Sequence, residues 1–341
     1  MTTSQDASIG ISVAESPYGT ATVTTRWYEY LAGENLLFNK APKQGAGLRV
    51  GGRYPRDGRR TVPTADGGGT FPMECCSKGM GLLWQWAIGG GTSTLVSALT
   101  YQQNFIDSDN PISVTLQKGL PRLNQSDGTF TVDPYTFTGA MCTQWELDFA
   151  NADIVKAKFT VDAKDVKTAT AYAAPSYPAE TVNLFSFAGG AVYTGAFTAP
   201  TTTALAIGGT ALADVRGGTV VVNNNLNGNR QNLGGAGRKS KPTAGLGAIT
   251  GTLDVEYDST VFRDAVVGDT AMSLVLTWTA GSLGVGLETL QLAIPNIRFD
   301  SPTPTDNGTD LIIQSMKFTG LDALVAPQSL YLSTRTGDSA L

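Results

Sequence analysis

The chain has 341 residues, of which 41% are hydrophobic and 16% are charged, and it carries a net charge of −5. That length suggests about two domains, and the hydrophobic share is sufficient for a folded core. Because histidine is absent, catalytic triads and metal sites that depend on histidine are excluded.

The first ten residues have neither the basic end nor the apolar stretch of a secretory signal. No part of the chain approaches the ~18 consecutive apolar residues that a membrane helix needs. The three cysteines, Cys75, Cys76 and Cys142, fit neither a disulfide framework nor a four-cysteine zinc site, because their number is odd and two are adjacent. We expect buried, inert thiols in a protein that is made in a cytoplasm and is kept or assembled there.

Two short segments are basic although the whole chain is acidic. Residues 49–69 carry +3 and residues 230–241 carry +4, which leaves −12 on the rest of the chain. Both segments are rich in Gly, the first contains Pro and the second is followed by Pro242, which predicts loops or hairpin tips. They could contact nucleic-acid phosphates or dock onto an acidic surface of another copy, and the overall acidity favours docking. The cationic residues are Arg49, Arg53, Arg56, Arg59, Arg60, Arg230, Arg238, Lys239 and Lys241.

Alternation of apolar and polar residues predicts a series of half-buried antiparallel strands. Helical spacing of apolar residues predicts two short helices, 77–88 and 259–267, with Ser77, and Asp258 or Ser259, as N-caps. Residues 196–212, rich in Thr, Ala and Gly, predict an exposed loop. The predicted strands, in chain order, are 70–76, 112–118, 144–149, 155–161, 251–257, 272–278, 290–299 and 311–319.

The order of these elements occurs twice. In each half, a basic Gly-rich segment leads to a strand, a short helix, a strand, a turn and two further strands. Local matches support the pairing, such as Thr70 with Thr252 and residues 158–160 with residues 317–319. A repeated pattern of this kind predicts a tandem duplication. The predicted units are a first domain, 1–165, a linker, 166–180, and a second domain, 181–341.

Several stretches resemble the tail tube proteins of long-tailed bacteriophages. They include 51–89, YTFTGAMCTQWELDFANADIVKAKFTVD (135–162), ITGTLDVEYDSTVFRDAVVG (249–268) and 294–323. Each stretch alone is a pattern and not an invariant signature. The ordered set is more specific, and it covers most of the chain after Ser16.

The resemblance implies an all-β fold of two fused β-sandwich or rolled-barrel domains, each flanked by a short α-helix. It implies rings that stack into a hollow tube, with strands of neighbouring subunits joined around the lumen. Rings of this family are usually hexameric, so for a duplicated chain we expect a trimeric pseudo-hexamer, with six copies as the second possibility. By the same resemblance, residues 49–69, residues 230–247 and the terminal arms contact the adjacent ring.

This interpretation makes the protein a structural part of the virion tail, assembled in the host cytoplasm, without catalytic activity, cofactor or membrane partner. Its partners are other copies, the tape-measure protein, tail tip and terminator proteins, and transiting DNA bound without sequence specificity. An acidic lumen is compatible with the charge outside the basic segments, and it would let DNA slide because it repels phosphate.

A hydrolase is the first alternative. Glu146 with Asp148, and Asp254 with Glu256, place two carboxylates on one face of a strand. A hydrolase would also need a buried carboxyl with a raised pKa in an aromatic-lined cleft. A solvent-facing or lumen-facing acidic row is the simpler interpretation.

Two other patterns fall short of a binding site. Asp306, Asn307 and Asp310 offer oxygen ligands that suit Ca²⁺, but their spacing is not that of a recognised loop, so we expect a solvated turn. The glycines 67–69 precede a strand and lack the Lys-Ser/Thr pair of a phosphate loop.

A receptor- or carbohydrate-binding β-sandwich, such as an adhesin, is the second alternative, and exposed aromatic residues would mark it. Trp27, Tyr28 and Tyr30 could form such a patch. A tail terminator or a capsid decoration protein is a third possibility. The remaining tryptophans lie in helix or strand patterns that predict a core, and they are Trp84, Trp86, Trp145 and Trp278.

Overall fold

The computed structural model describes residues 4–124, 126–177, 182–212, 214–301 and 311–341. Within them the protein is mostly β-structure with two short α-helices, which confirms the predicted all-β class. The paired strands are antiparallel, and the sheets do not close into a barrel. The strands are β1 (Ser8–Ala14), β2 (Thr24–Tyr28), β3 (Leu37–Gln44), β4 (Arg60–Glu74), β5 (Gly89–Ser97), β6 (Thr100–Asp107), β7 (Val114–Leu123), β8 (Phe130–Asp148), β9 (Lys156–Ala163), β10 (Asp165–Lys167), β11 (Gly190–Thr194), β12 (Thr210–Leu212), β13 (Val215–Asn223), β14 (Leu226–Asn227), β15 (Thr243–Ala244), β16 (Ala248–Glu256), β17 (Met272–Ser282), β18 (Leu287–Phe299), β19 (Ile313–Gly320) and β20 (Tyr331–Thr336). The helices are α1 (Gly81–Ile88) and α2 (Val261–Val267), and short 3-10 turns lie at Ser4–Asp6, Asp57–Arg59 and Phe187–Gly189.

Every strand predicted from alternation is present, but the predicted loop at 49–69 is wrong beyond its first part. The chain is a strand, β4, from Arg60 onward. Three consecutive glycines hide the alternation of β4, and the fold requires small residues there. A β-carbon on Gly69 would collide with the backbone oxygen of Asn35, and Gly69 has φ +146°, a conformation that only glycine adopts readily.

Both helices are present but begin later than predicted, and the predicted N-caps are wrong. Met80 and Thr260 occupy the N-cap positions, and neither side chain makes a capping hydrogen bond. The Ser77 hydroxyl instead accepts a hydrogen bond from the Asn183 amide at 3.2 Å. Ser77, which the local sequence predicted to be a helix cap, therefore makes a tertiary contact instead.

The two halves of the chain contain the same set of antiparallel strand pairs. In the first half β4 pairs with β3 and β9, β8 pairs with β9, β7 and β10, and β1 pairs with β7 and β2. In the second half β16 pairs with β13 and β19, β18 pairs with β19, β17 and β20, and β11 pairs with β17 and β12. The β5–β6 hairpin, which follows α1, is an addition to the first half.

Backbone hydrogen bonds join the two halves into one continuous sheet system. β13 of the second half pairs with the last part of β8, and β20 lies between β18 of the second half and β6 of the first. The C-terminal residues continue this contact, because the carbonyl of Ala340 accepts a hydrogen bond from the Gln103 side chain at 2.8 Å.

Side-chain hydrogen bonds hold two segments in which no strand was predicted. Within residues 196–212, which we predicted to be an exposed loop, β12 forms a strand and Ala206 is buried. The Gln291 side chain accepts from the Ala206 amide at 2.7 Å and donates to its carbonyl at 3.1 Å. In residues 168–177 the backbone of Ala171 and Ala173 bonds the Gln117 side chain.

Aromatic side chains fill the core of each half. Phe159 is fully buried, and its ring lies 5.5 Å from the rings of Phe71 and Trp84 and 6.0 Å from that of Trp86. In the second half the rings of α2, β18 and β19 meet edge-on. The helices therefore attach to the sheets through aromatic contacts, as the apolar spacing predicted.

Replacing Phe159 by Ala should lower the free energy of unfolding by about 3–5 kcal/mol, because the substitution leaves a cavity among rings that cannot collapse into it. Urea unfolding followed by tryptophan fluorescence measures the loss. Val23→Ala is the control, since Val23 is 75% exposed and surface changes usually stay within about 0.5 kcal/mol. Equal stability of the two variants would contradict the assigned core.

Candidate assembly surfaces

An arm projects from the first half between β3 and β4. It comprises residues 45–59, and all of them are exposed. Leu48 and Val50 are completely exposed and Tyr54 is 79% exposed. Clustered exposed apolar side chains of this kind are typical of contact surfaces. The arm is therefore a candidate contact surface.

The first group of predicted contact residues lies on this arm. No ion pair among the described residues involves their guanidinium groups, so their charge is available to another molecule. Arg49, Arg53, Arg56 and Arg59 belong to the arm, and Arg60 is the first residue of β4.

The second group lies elsewhere, against the first half of the same chain. Lys239 is buried, and its Nζ lies 2.9 Å from an oxygen of Asp66 and 2.6 Å from an oxygen of Asp162. Arg238 lies 3.1 Å from Asp165, and its guanidinium stacks over the Phe38 ring at 5.7 Å. These contacts join the hairpin that follows β13, residues 224–247, to β4 and β9.

Burial and ion pairing have opposite effects on the pKa values of Lys239 and Asp162. Burial alone would lower the pKa of Lys239, but hydrogen bonds to Asp162 and Asp66 outweigh it, so that pKa is raised. Burial raises the pKa of Asp162, and Lys239 offsets part of that rise. The lysine therefore stays charged and holds two carboxylates that would otherwise repel each other.

The other two cations of the second group also make contacts within the chain. Arg230 donates to the carbonyl of Lys241 at 2.7 Å, and the Lys241 amino group donates to the Asn110 side chain at 2.7 Å. The structure thus separates the predicted contact residues into an exposed arm and a docked hairpin.

Carboxylates gather at the end of the sheet opposite the arm. β4 runs for 15 residues from Arg60 to Glu74, a rise of about 50 Å. Across the sheet Glu74 lies opposite Lys156, and Lys156 lies opposite Asp148. β13 separates β8 from β16, and β16 ends at Glu256 at the same end of the sheet. We name this surface the acidic end, and it comprises Glu74, Asp148, Asp153, Asp214, Glu256 and Asp258.

Two basic residues neutralise part of the acidic end. Lys156 lies 2.5 Å from Asp153, which lowers the pKa of that carboxyl, and Arg216 lies 3.4 Å from Glu256. Burial raises the pKa of Asp148, and a hydrogen bond shared with Asp258 raises the pKa of Asp214. The charges of neighbouring carboxylates add to both rises.

The carboxylate pairs considered for hydrolysis belong to this electrostatic pattern. Glu146 lies 3.7 Å from Lys158 on the neighbouring strand, and Asp148 and Glu256 belong to the acidic end. Asp254 lies beside Glu256 on β16. The arrangement provides charged rows on the faces and end of a sheet.

The remaining candidate residues lie mainly in the core. Cys75 and Cys142 are buried and Cys76 is half-buried, and burial raises the pKa of Cys76 to about 11. Tyr28 is buried and Trp27 and Tyr30 are half-buried, so these three do not form the exposed aromatic patch expected of an adhesin.

Searches for other kinds of site cover only the described part of the chain. Asp306, Asn307 and Asp310 lie outside it. Within it, no group of three Cys, Asp or Glu side chains is arranged to hold a metal ion. No helix in the same part is long and apolar enough to cross a membrane.

The model of one protein family, described as phage tail tube protein, matches residues 4–320. The chain belongs to the phage tail tube protein family. The curated proteins contain no match to it. Tail tube proteins are structural components of the phage virion, and the family match confirms the class inferred from the ordered resemblance.

For a tail tube protein, the surfaces that sequence analysis missed are strand edges. β3 was not predicted because all of its residues are exposed and its alternation is therefore weak. β13 was missed although its valines alternate in burial with their neighbours. The Val-rich run at 220–222, next to Gly217 and Gly218, was the available signal for β13.

Replacing Lys239 by Met should lower the free energy of unfolding by about 1–3 kcal/mol at neutral pH, since Asp66 and Asp162 are left unpaired. The loss should shrink as pH falls, because burial raises the pKa of Asp162 and protonation of that carboxyl removes an unpaired charge. Urea unfolding at several pH values measures both effects. Lys241→Met, which removes a contact to a neutral amide, should change stability by about 0.5 kcal/mol or less; losses of equal size in both variants would contradict the cluster.

Proposed function

We propose that the protein assembles with copies of itself into rings that stack as the hollow tail tube, through which DNA is ejected into the host. The observation that carries this proposal is the polarity of the subunit. A basic arm with exposed apolar residues extends from one end of β4, and the acidic end lies at the other. Such a subunit is complementary to its own copies placed head to tail.

Stacking in this arrangement combines charge and apolar contact. Arg53, Arg56 and Arg59 of one ring meet carboxylates of the next ring, which sets orientation and register. Leu48, Val50 and Tyr54 supply the apolar area that surface ion pairs lack. Because each ring repeats every contact, weak individual contacts add up to a stable tube.

The repeated strand pairs support a ring of three chains with six equivalent units. In this proposal the first domain spans 1–165, the linker 166–180 and the second domain 181–341. Each chain then supplies two neighbouring units of a pseudo-hexamer. A ring of six full chains would place twelve units around the axis, and it remains the second arrangement.

The other partners follow from the tube itself. The tape-measure protein and then DNA occupy the lumen without sequence-specific contacts, and tail tip and terminator proteins bind the two ends. Assembly takes place in the host cytoplasm.

Purified protein should form tubes of uniform width in negative-stain electron microscopy, and reversing four charges on and beside the arm should stop stacking. The variant replaces Arg53, Arg56, Arg59 and Arg60 by Glu. Since these side chains are exposed, the variant should keep the thermal stability of the wild type while sedimenting as rings or single chains. Tubes of normal length from this variant would contradict the role of the arm.

A matched pair of double variants separates the arm from net charge. Arg53→Glu with Arg56→Glu should shorten tubes, whereas Lys167→Glu with Lys317→Glu, an equal charge change at exposed residues off the arm, should not. Adding Asp214→Lys, Glu256→Lys and Asp258→Lys to the four-Glu variant should restore stacking by exchanging the charges of the two surfaces.

Native mass spectrometry of rings released from tubes should give the mass of three chains. With a chain mass of 35.7 kDa, rings of three and of six differ by a factor of two, so the measurement is decisive. A mass of six chains would overturn the pseudo-hexamer and leave the tube intact.

A further inference from the structure

One backbone junction inside the chain joins the sheet of the first half to that of the second. Residues 144–148 of β8 pair antiparallel with residues 219–223 of β13. The Asn224 amide donates to the Thr143 carbonyl at 2.9 Å, and the Phe149 amide donates to the Gly218 carbonyl at 3.0 Å. β13 thus covers an edge of β8 that β7 and β9 leave unpaired.

β18 occupies in the second half the place that β8 occupies in the first. Phe299 lies opposite Phe318 in the β18·β19 pair, as Trp145 lies opposite Phe159 in the β8·β9 pair. A ring of α2 meets Phe299 edge-on with 5.5 Å between centroids, and a ring of α1 meets Trp145 in the same way at 5.7 Å. Phe299 therefore corresponds to Trp145.

The end of β18 has an edge without a strand partner among the described residues. Pairing with β17 stops at Ile297. The Asp300 amide donates to the Lys317 carbonyl at 2.9 Å, so the even-numbered residues face β19. The backbone groups of Phe299 and Ser301 consequently point to the opposite edge, where the corresponding groups of β8 bond to β13.

β3 occupies the place of β13. β3 pairs with the edge of β4 that faces away from β9. In the same way, β13 pairs with the edge of β16 that faces away from β19. The Asn35 amide donates to the Thr70 carbonyl at 2.9 Å, so odd-numbered residues face β4 and the amides of Phe38 and Lys40 point outward. Within the described chain no strand covers that outer edge.

We propose that the end of β18 in one chain pairs antiparallel with the outer edge of residues 34–38, at the start of β3, in a second copy, as β8 pairs with β13 within one chain. The inference rests on the proposed ring and names the backbone edges that close it. Unpaired edges recruit further strands, and the chain already contains a strand pair that solves this problem at the corresponding place. Junctions within and between chains then alternate around the ring.

The matched strands fix the register of the new junction. Counted from the equivalent phenylalanines of β9 and β19, Thr70 corresponds to Thr250. The sequence match of Thr70 with Thr252 is therefore wrong by two residues, because pairing with β9 and β19 sets the correspondence. Asn35 bonds to Thr70, and Asn223 lies two residues beyond the partner of Thr250. Leu37, two residues after Asn35, therefore corresponds to Asn223.

In this register Leu37 of one chain lies opposite Arg298 of the next, as Asn223 lies opposite Gln144. The Phe38 amide then donates to the Ile297 carbonyl. Leu37 is 59% exposed in the single chain, and pairing would cover it.

An exposed apolar corner supports the same placement. In the first half, the hairpin that follows β13 covers the corner formed by Asp66 and Asp162. The corresponding corner of the second half carries Leu246, Leu321 and Leu324, which are 89%, 42% and 87% exposed. The base of the arm from the next copy, which follows β3 as that hairpin follows β13, would cover it.

Cysteine cross-linking tests the pairing in assembled tubes. Leu37 and Arg298 would form a non-hydrogen-bonded antiparallel pair, with Cα atoms about 4.5 Å apart, which a disulfide can span. Tubes of Leu37→Cys/Arg298→Cys treated with copper phenanthroline should give dimers and higher multimers on a non-reducing gel, at five times or more the yield of either single variant.

Two matched variants control the experiment. Gln144→Cys/Asn223→Cys places the thiols at the equivalent pair within one chain, so it should form an intrachain bridge without assembly. Phe38→Cys/Arg298→Cys moves one thiol to the opposite face and should not cross-link. The native cysteines are buried or half-buried, and the single variants measure their background.

Hydrogen exchange of the wild-type protein provides a second readout that needs no variant. The Phe38 amide, which the register bonds to the Ile297 carbonyl, should exchange at least tenfold more slowly in tubes than in the free chain. Tubes that form without this protection and without the cross-link, while the Gln144/Asn223 pair closes, would overturn the β3·β18 pairing alone. Failure of the wild type to form tubes would overturn the proposed function and the pairing with it.

Discussion

Every strand edge in this protein exposes a row of backbone N–H and C=O groups that must find partners. The chain satisfies most of them internally, and it does so by crossing between its halves. β13 covers β8, and β20 fills the gap between β6 and β18. These junctions make one sheet system from two similar units, so the halves are held together by main-chain bonds as well as by side chains. A closed ring would extend the same solution to the edges that one chain leaves open.

Charge adds direction to this backbone framework. Hydrogen bonds between strands could join copies in a ring, but they do not decide which end of one ring meets the next. The arm and the acidic end lie at opposite ends of β4, and their charges are opposite. Complementary charge contributes orientation more than affinity. In the proposed stack, the apolar residues of the arm would therefore supply most of the affinity between rings.

The sequence predicted the features that depend on local pattern. Burial alternates along β9 and β19 because one face of each strand contacts the core, and both strands were predicted. Features set by distant partners were not accessible in this way. Ser77 was predicted to cap a helix, but its hydroxyl accepts a hydrogen bond from the backbone amide of Asn183. Nothing in the local sequence indicates that Lys239 contacts Asp162, 77 residues away. β3 lacks a buried face within its own chain, so no periodicity could identify it.

The two basic segments also show how equivalent positions have taken different roles. Both follow the strand that borders β4 or β16, and sequence alone gave them the same prediction. In the structure Arg238 and Lys239 of the second segment pair with Asp66, Asp162 and Asp165 of the first half, whereas the arm remains exposed. A ring of three chains would then have six similar units but three free arms. Its inner sheet could approach sixfold symmetry while its stacking contacts keep threefold symmetry. The reason is that the arginines of the arm are unpaired within the described part of the chain, whereas Arg238 and Lys239 of the second basic segment are already paired within the chain.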